Sequence, residues 1–125
     1  MKKSRILVIE DENLMNRTIE FQLKKDGYEV DTALDGKSGI AKAEANEYDL
    51  IILDIMLPYL NGLEILAKIK QNEQKKNIPV IIISATGLED TVLEGFKLGA
   101  NDFITKPFIL PEFSIRVRRL LMEKN

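Results

Sequence analysis

Cysteine and histidine are both absent from the 125 residues. Their absence removes Cys and His nucleophiles, imidazole general bases and zinc sites of the usual ligand type. It also removes disulfides, which fits an intracellular, cytoplasmic protein. An excess of one charge is lacking too: 18 basic residues stand against 20 acidic ones, a net charge of −2. That balance argues against direct contact with nucleic acid or a membrane surface. No apolar stretch is long enough to span a bilayer. The basic start Met1-Lys2-Lys3-Ser4-Arg5 leads into a run, Ile6 to Ile9, that is too short for a signal peptide core. Low-complexity tracts and internal repeats are also missing.

What is present is enough chain for one domain, residues 1–125, with a real core. Its centre is Ile51-Ile52-Leu53-Asp54. A short β-branched apolar run reads as a strand buried on both faces. A carboxylate at the end of such a strand is costly unless its charge is compensated. The stretch from Ile55 to Gly62 offers no cation. A helix-cap role for Asp54 is weak, because Asn61 stands at the cap position of the next helix, with Glu64 three residues on. Asp54 is left without a local structural job, so its partners must come from elsewhere in the chain.

The rest of the chain alternates strand and helix. Arg5 to Ile9 is a buried strand ending in Glu10-Asp11-Glu12-Asn13, acids that also suit the first turn of a helix. That helix shows Met15, Ile19, Gln22 and Leu23 at helical spacing and stops at Gly27. Tyr28 to Ala33 is a more polar strand, which marks it as an edge. Gly36 to Ala45 is a small-residue helix. Gly62 to Lys70 is a helix with Leu63, Leu66 and Ile69 inward, followed by a solvated loop over 71–77. Val80 to Ile83 is a strand ending at Ser84-Ala85-Thr86-Gly87. Glu89 to Leu98 is a helix closed by Gly99. Asp102 to Thr105 is a short strand leading into Lys106-Pro107-Phe108. Ile109 to Met122 is a last helix with Ile115, Leu120 and Leu121 apolar and Arg116, Arg118 and Arg119 basic, and the chain ends at Glu123-Lys124-Asn125.

Five βα units in sequence predict an α/β doubly wound fold, a parallel sheet covered by helices on both faces. Ligands of such sheets bind beyond the carboxyl ends of the strands. Those ends carry Glu10, Asp11, Asp54, Ser84, Thr86 and Lys106, and the opposite edge carries no comparable set. Three carboxylates brought together need more counter-charge than one lysine supplies. With only oxygen ligands on offer, Mg2+ is the natural addition. An Asp carboxylate is a competent nucleophile toward phosphoryl groups, and phosphoryl transfer needs mainly positioning and charge neutralisation.

These residues carry a resemblance. Ile6 to Glu12, Leu53-Asp54-Ile55-Met56-Leu57-Pro58, Asn61-Gly62, Ile82-Ile83-Ser84-Ala85 and Gly99 to Phe108 stand in the order and spacing of response regulator receiver domains. The chain resembles that family from Arg5 to about Leu121. The resemblance implies strand order 2-1-3-4-5 and a set of roles. Asp54 accepts a phosphoryl group from a sensor histidine kinase, a phosphotransfer protein or a small phosphodonor. Glu10, Asp11, Asp54 and the backbone carbonyl of Met56 hold Mg2+. Lys106 contacts a phosphoryl oxygen. Ser84 moves its hydroxyl onto the phosphoryl group, and Phe103 turns inward after it. Lys106-Pro107 is cis. A kinase docks near Leu14 and Met15. Output passes through the fourth helix, fifth strand and fifth helix to a downstream target or output domain, with a homodimer through that face as one form. For Arg116, Arg118, Arg119, Asp102 and Glu94, solvated surface charge is the default.

Several positions sit at the less common end of the family's range: Glu10 where Asp is usual, Ser84 where Thr is common, Phe103 where Tyr is common. Met56 cannot orient an attacking water, which implies slow self-dephosphorylation. Phosphatases of the haloacid dehalogenase type have a similar site, but they require a second Asp where Met56 stands. A receiver-like interaction module that is never phosphorylated would fit a chain lacking one of the acids or the lysine, and none is missing. The protein is thus expected to be no enzyme beyond its own phosphorylation and dephosphorylation. It is a stand-alone regulator or the receiver of a longer chain. Gly36-Lys37-Ser38 is not a phosphate-binding loop, since Asp31 stands where its first glycine belongs. Asn16-Arg17-Thr18 fits the glycosylation pattern in a chain without a secretory signal. No G-x-G-x-x-G follows the first strand, so dinucleotide binding is not expected.

Overall fold

A computed structural model describes residues 2–123. Met1, Lys124 and Asn125, the ends of the basic start and of the tail behind the last helix, lie outside the described residues. Ten elements alternate along the chain: β1 (Arg5–Ile9), α1 (Asn13–Lys25), β2 (Glu29–Ala33), α2 (Gly36–Ala45), β3 (Leu50–Asp54), α3 (Gly62–Gln71), β4 (Val80–Ser84), α4 (Glu89–Lys97), β5 (Asp102–Thr105) and α5 (Leu110–Glu123). All four strand pairings are parallel, in the order β2-β1-β3-β4-β5. This is the doubly wound α/β fold that the alternation predicts, with β2 at an edge.

Side chains alternate across the sheet and build one core on each face. Leu7, Ile9, Ile51, Leu53, Val80 and Ile82 meet Ala43 of α2 and Ile65, Leu66 and Ile69 of α3. Ile6, Val8, Ile52, Ile81 and Ile83 meet Ile19 and Leu23 of α1 and Phe113, Val117, Leu120 and Leu121 of α5. Burying each valine, leucine, isoleucine or phenylalanine among these contributes about 1.5–3 kcal/mol. The middle strands β3 and β4 are buried along their whole length, which is why they read as unbroken apolar runs.

Local chemistry starts and stops the helices. Glu12 caps α1 by accepting from the Met15 amide, Asp35 caps α2 through the Ser38 amide, and Asn61 caps α3 through the Leu63 amide. Gly27 and Gly99 follow α1 and α4 with φ of 100° and 109°, the left-handed stop that glycine takes without strain.

Four details add to the sequence reading or depart from it. The inner face of α5 is Phe113, Val117, Leu120 and Leu121, whereas Ile115 is 62% exposed; a residue two places from Phe113 points to the far side of a 3.6-residue turn. In α3 the buried set includes Ile65, and Leu63 is only partly covered. The 71–77 segment is not fully solvated. Lys75 is 4% exposed, because its Nζ donates to the Asn46 carbonyl at 2.7 Å and pairs with Glu47 at 3.2 Å, clamping the end of α2. The amino end of the sheet holds its own polar cluster. Arg5 pairs with Asp31 at 2.7 Å, the Tyr48 hydroxyl donates to the same carboxylate oxygen at 2.7 Å, and the Arg5 amide donates to Asp49 at 2.8 Å.

Candidate functional site

The sheet order determines what can meet. β1 and β3 are neighbours, with Ile9 level with Leu53. The residues that follow, Glu10 and Asp54, therefore emerge side by side. β4 lies on the other side of β3, and Ser84 pairs in register with Thr105, the residue before Lys106. The Lys106 amide donates to the Ser84 carbonyl at 2.7 Å, carrying the pairing one residue past the strand. The Lys106-Pro107 peptide is cis.

Lys106 closes the group. Its Nζ lies 2.6 Å from Glu10 Oε1 and 2.9 Å from Asp54 Oδ2. Glu10, Asp54 and Ser84 are buried, and Asp11 is the more open acid. Glu10, Asp11 and Asp54 each offer an oxygen within 4.8 Å of the others, a hard-ligand set that suits Mg2+. The nearby hydrogen bonds preset the group. Asp54 Oδ1 accepts from the Met56 amide at 2.8 Å, Glu10 Oε2 from the Glu12 amide at 3.2 Å, and Ser84 Oγ from the Thr86 amide at 3.1 Å. The turn after β3 is held by Gly62. A Cβ there would lie 2.2 Å from Ile55 Cα and 2.7 Å from the Asp54 carbonyl, so only glycine allows this approach.

Electrostatics follow from burial. Desolvation, with the neighbouring Asp54 acting in the same direction, pushes the Glu10 carboxyl up to about 7, against the opposing pull of Lys106. Burial works against the charge on Lys106. Its bonds to Glu10 and Asp54 outweigh that cost and raise its pKa above the ordinary value.

The predicted residues Glu10, Asp11, Asp54 and Lys106 thus meet in space, with Ser84 tied to Lys106 through the backbone. Phe103 lies on β5, half-buried against the α2–α3 side of the core. Three points were not foreseen. Asp54 does have a local bond, to the Met56 amide, in the short side-chain-to-backbone turn that Asp favours. Arg116 is not free surface charge, since it pairs with Asp102 at 2.8 Å and Glu112 at 2.8 Å, while Arg119 reaches Asp102 at 3.5 Å. Asn16, the first residue of the Asn16-Arg17-Thr18 pattern, is buried, and its side chain donates to the Glu10 carbonyl. Its signal was its helical spacing with Ile19 and Leu23, a polar residue on a core face.

The family model of the response regulator receiver domain matches residues 6–118. The chain belongs to this family. The receiver is 45% identical over 118 residues to the response regulator ArlR of Staphylococcus saprophyticus, covering 94% of this chain and 52% of that protein. It is 44% identical over the same span to ArlR of Staphylococcus aureus. The chain therefore spans about half the length of these curated relatives. Among solved structures, the receiver domain of a Francisella response regulator superposes with a TM-score of 0.91 at 34% identity, covering 98% of this chain and 100% of that one. The receiver domain of a Pseudomonas aeruginosa sensor histidine kinase, described with a magnesium ion coordinated in its active-site cleft, gives 0.87 at 30% identity, covering 96% and 98%. A receiver is a module of two-component signalling and not a conventional enzyme. Among the described residues no helix is long and apolar enough to cross a membrane.

Proposed function

We propose that the chain acts as one cytoplasmic receiver domain in which Asp54 is the phosphoacceptor. The observation that carries this reading is the convergence of Asp54 with Lys106, Glu10 and Asp11 on one sheet edge. An Asp54 oxygen attacks the phosphorus of a phosphohistidine or of acetyl phosphate. The P–N or P–O bond to the donor breaks, and histidine or acetate leaves. Glu10, Asp11, Asp54 and the Met56 carbonyl are the groups that would hold Mg2+, and the ion would supply neutralisation of charge on the phosphoryl oxygens. Lys106 exchanges one of its carboxylate partners for a phosphoryl oxygen. Ser84 donates its hydroxyl to another, and Phe103 responds by changing its packing beneath α4. The domain turns over no other substrate. Met56 places a thioether where a phosphatase of the dehalogenase type needs a carboxylic acid.

The phosphodonor is a sensor histidine kinase, a phosphotransfer protein or a small phosphodonor. Docking of a protein donor at α1 falls to Leu14, which is exposed, more than to Met15, which packs partly against the α1–α5 core. The output is a downstream protein or an output domain. The exposed Leu93 and Phe96 on α4 support self-association through the α4–β5–α5 face. The domain itself makes no contact with nucleic acid or membrane.

Incubation with acetyl phosphate and Mg2+, followed by intact mass measurement, tests the reading. One added phosphoryl group is expected in the native protein and none in Asp54→Asn or in EDTA. A folded native protein without the added mass, even with a competent kinase, overturns it in favour of an interaction module.

A further inference from the structure

Asn16 occupies a helix face that is otherwise apolar. With Ile19 and Leu23 it forms the buried side of α1, and it is 3% exposed. A carboxamide taken out of water needs partners inside the protein. Its Nδ2 donates to the Glu10 carbonyl at 2.9 Å and to the Ala33 carbonyl at 3.2 Å. The Ala33 carbonyl also accepts the Glu10 amide at 3.1 Å. One side chain thus joins the carboxyl ends of β1 and β2 to the first turns of α1, where the chain leaves β1 for Asp11. The rest of this turn is held by its own bonds. The Asn16 amide donates to the Glu12 carbonyl at 2.9 Å, and the Glu12 amide to the Glu10 carboxylate at 3.2 Å.

We infer that Asn16 is a positioning residue for the cation site: its carboxamide fixes the backbone from which Glu10 and Asp11 present their carboxylates, and so sets the affinity for Mg2+. The inference rests on reading Glu10, Asp11 and Asp54 as that site. Asn16 touches neither the metal nor the phosphoryl group. It acts by keeping two ligands in register with Asp54, and outer partners of this kind typically govern metal affinity about 10–100-fold. Leucine has a similar size and no donor. At position 16 it takes the side-chain donor from the Glu10 carbonyl, leaves the Ala33 carbonyl with the Glu10 amide, and loosens the Glu10–Asp11 turn.

The test is a Mg2+ titration by calorimetry, paired with the rate of phosphorylation by acetyl phosphate as Mg2+ is varied. The proteins are native, Asn16→Leu, Asn16→Gln and, as a control for general loosening of α1, Ile19→Val. Asn16→Leu is expected to raise the Mg2+ dissociation constant about tenfold or more, with the rate at saturating Mg2+ retained. Asn16→Gln, whose carboxamide is displaced by one methylene, is expected to fall between native and leucine. Ile19→Val is expected to leave the Mg2+ dependence unchanged. A folded Asn16→Leu protein with native Mg2+ affinity overturns the inference, as does an equal shift in Ile19→Val. Loss of folding in both Asn16 variants also overturns it, making the residue a determinant of the fold and not of the site. If the native protein binds Mg2+ but accepts no phosphoryl group, the functional reading fails while the calorimetry still decides the role of Asn16.

Discussion

At the scale of single residues, three side chains carry distinct expectations. Met56 is exposed beside Asp54, and its thioether cannot hold a water in line with a phosphoryl group. Met56→Asn is expected to speed decay of the phosphorylated form, followed by loss of the added mass over time; equal or slower decay would remove Met56 from the account. Tyr59 is fully exposed and holds a left-handed φ of 68°, a conformation that a bulky residue adopts only under strain. Tyr59→Asn, which tolerates that backbone and sacrifices no packing, is expected to raise Tm by about 2–4 °C. Glu10 titrates at about 7 in the metal-free fold against an ordinary 4.5, because burial and Asp54 favour its protonated form. Between those pH values the folded state keeps a proton that the unfolded state has lost. Stability in EDTA should therefore fall as pH rises from about 4.5 to about 7 and then level off. Mg2+ takes the ionised form, so its affinity should rise with pH through the same window, by up to about tenfold per unit. Urea unfolding in EDTA and Mg2+ titration, each at pH 5, 6, 7 and 8, check both slopes, and Glu10→Gln should flatten them.

At the scale of elements, the helices differ in how they are held. α1, α2 and α3 have side-chain caps and buried faces, whereas α4 starts at Leu88 without a side-chain cap and buries only Gly95. Few buried contacts mark the part of a fold that opens most easily. Gly95 is what lets α4 approach the sheet: a Cβ there would lie 2.8 Å from Ile82 Cδ1 and 3.7 Å from the Phe103 ring. Gly95→Val is expected to push α4 off β4, cost about 1–3 kcal/mol of stability, and speed amide hydrogen exchange across Glu89–Lys97 more than elsewhere. A uniform change in exchange would mean that α4 is no looser than the rest. The element boundaries themselves were nearly all legible, because apolar runs, caps and stop glycines are local signals. The face of α5 is not legible from hydrophobicity alone: Ile115 is apolar yet exposed, while Phe113 and Val117 are buried.

At the scale of the whole molecule, the site belongs to no single element. Lys106 is separated from Glu10 by 96 positions in the chain and from Asp54 by 52, yet it bonds to both. This follows from a parallel sheet whose carboxyl ends all open on one edge. The opposite edge places Asp102 at the start of β5 beside Arg116 of α5, a pair that stiffens the same face on which Leu93 and Phe96 lie exposed. Protein treated with acetyl phosphate and Mg2+ is expected to elute as a dimer and the untreated protein as a monomer, with Phe96→Asp preventing the change. A phosphorylated protein that stays monomeric assigns this face to another partner.

The sequence by itself determined the alternation of strands and helices, the buried middle strands and the identity of the acids and lysine at the strand ends. Each of these is a local pattern of periodicity, capping or punctuation. Only the tertiary structure decided that Lys106 bridges Glu10 and Asp54, that Arg116 is engaged by Asp102, and that Lys75 and Asn16 are buried donors. Those outcomes depend on which backbone carbonyls and carboxylates arrive from distant parts of the chain. A polar residue becomes a structural one only when such a partner reaches it out of water.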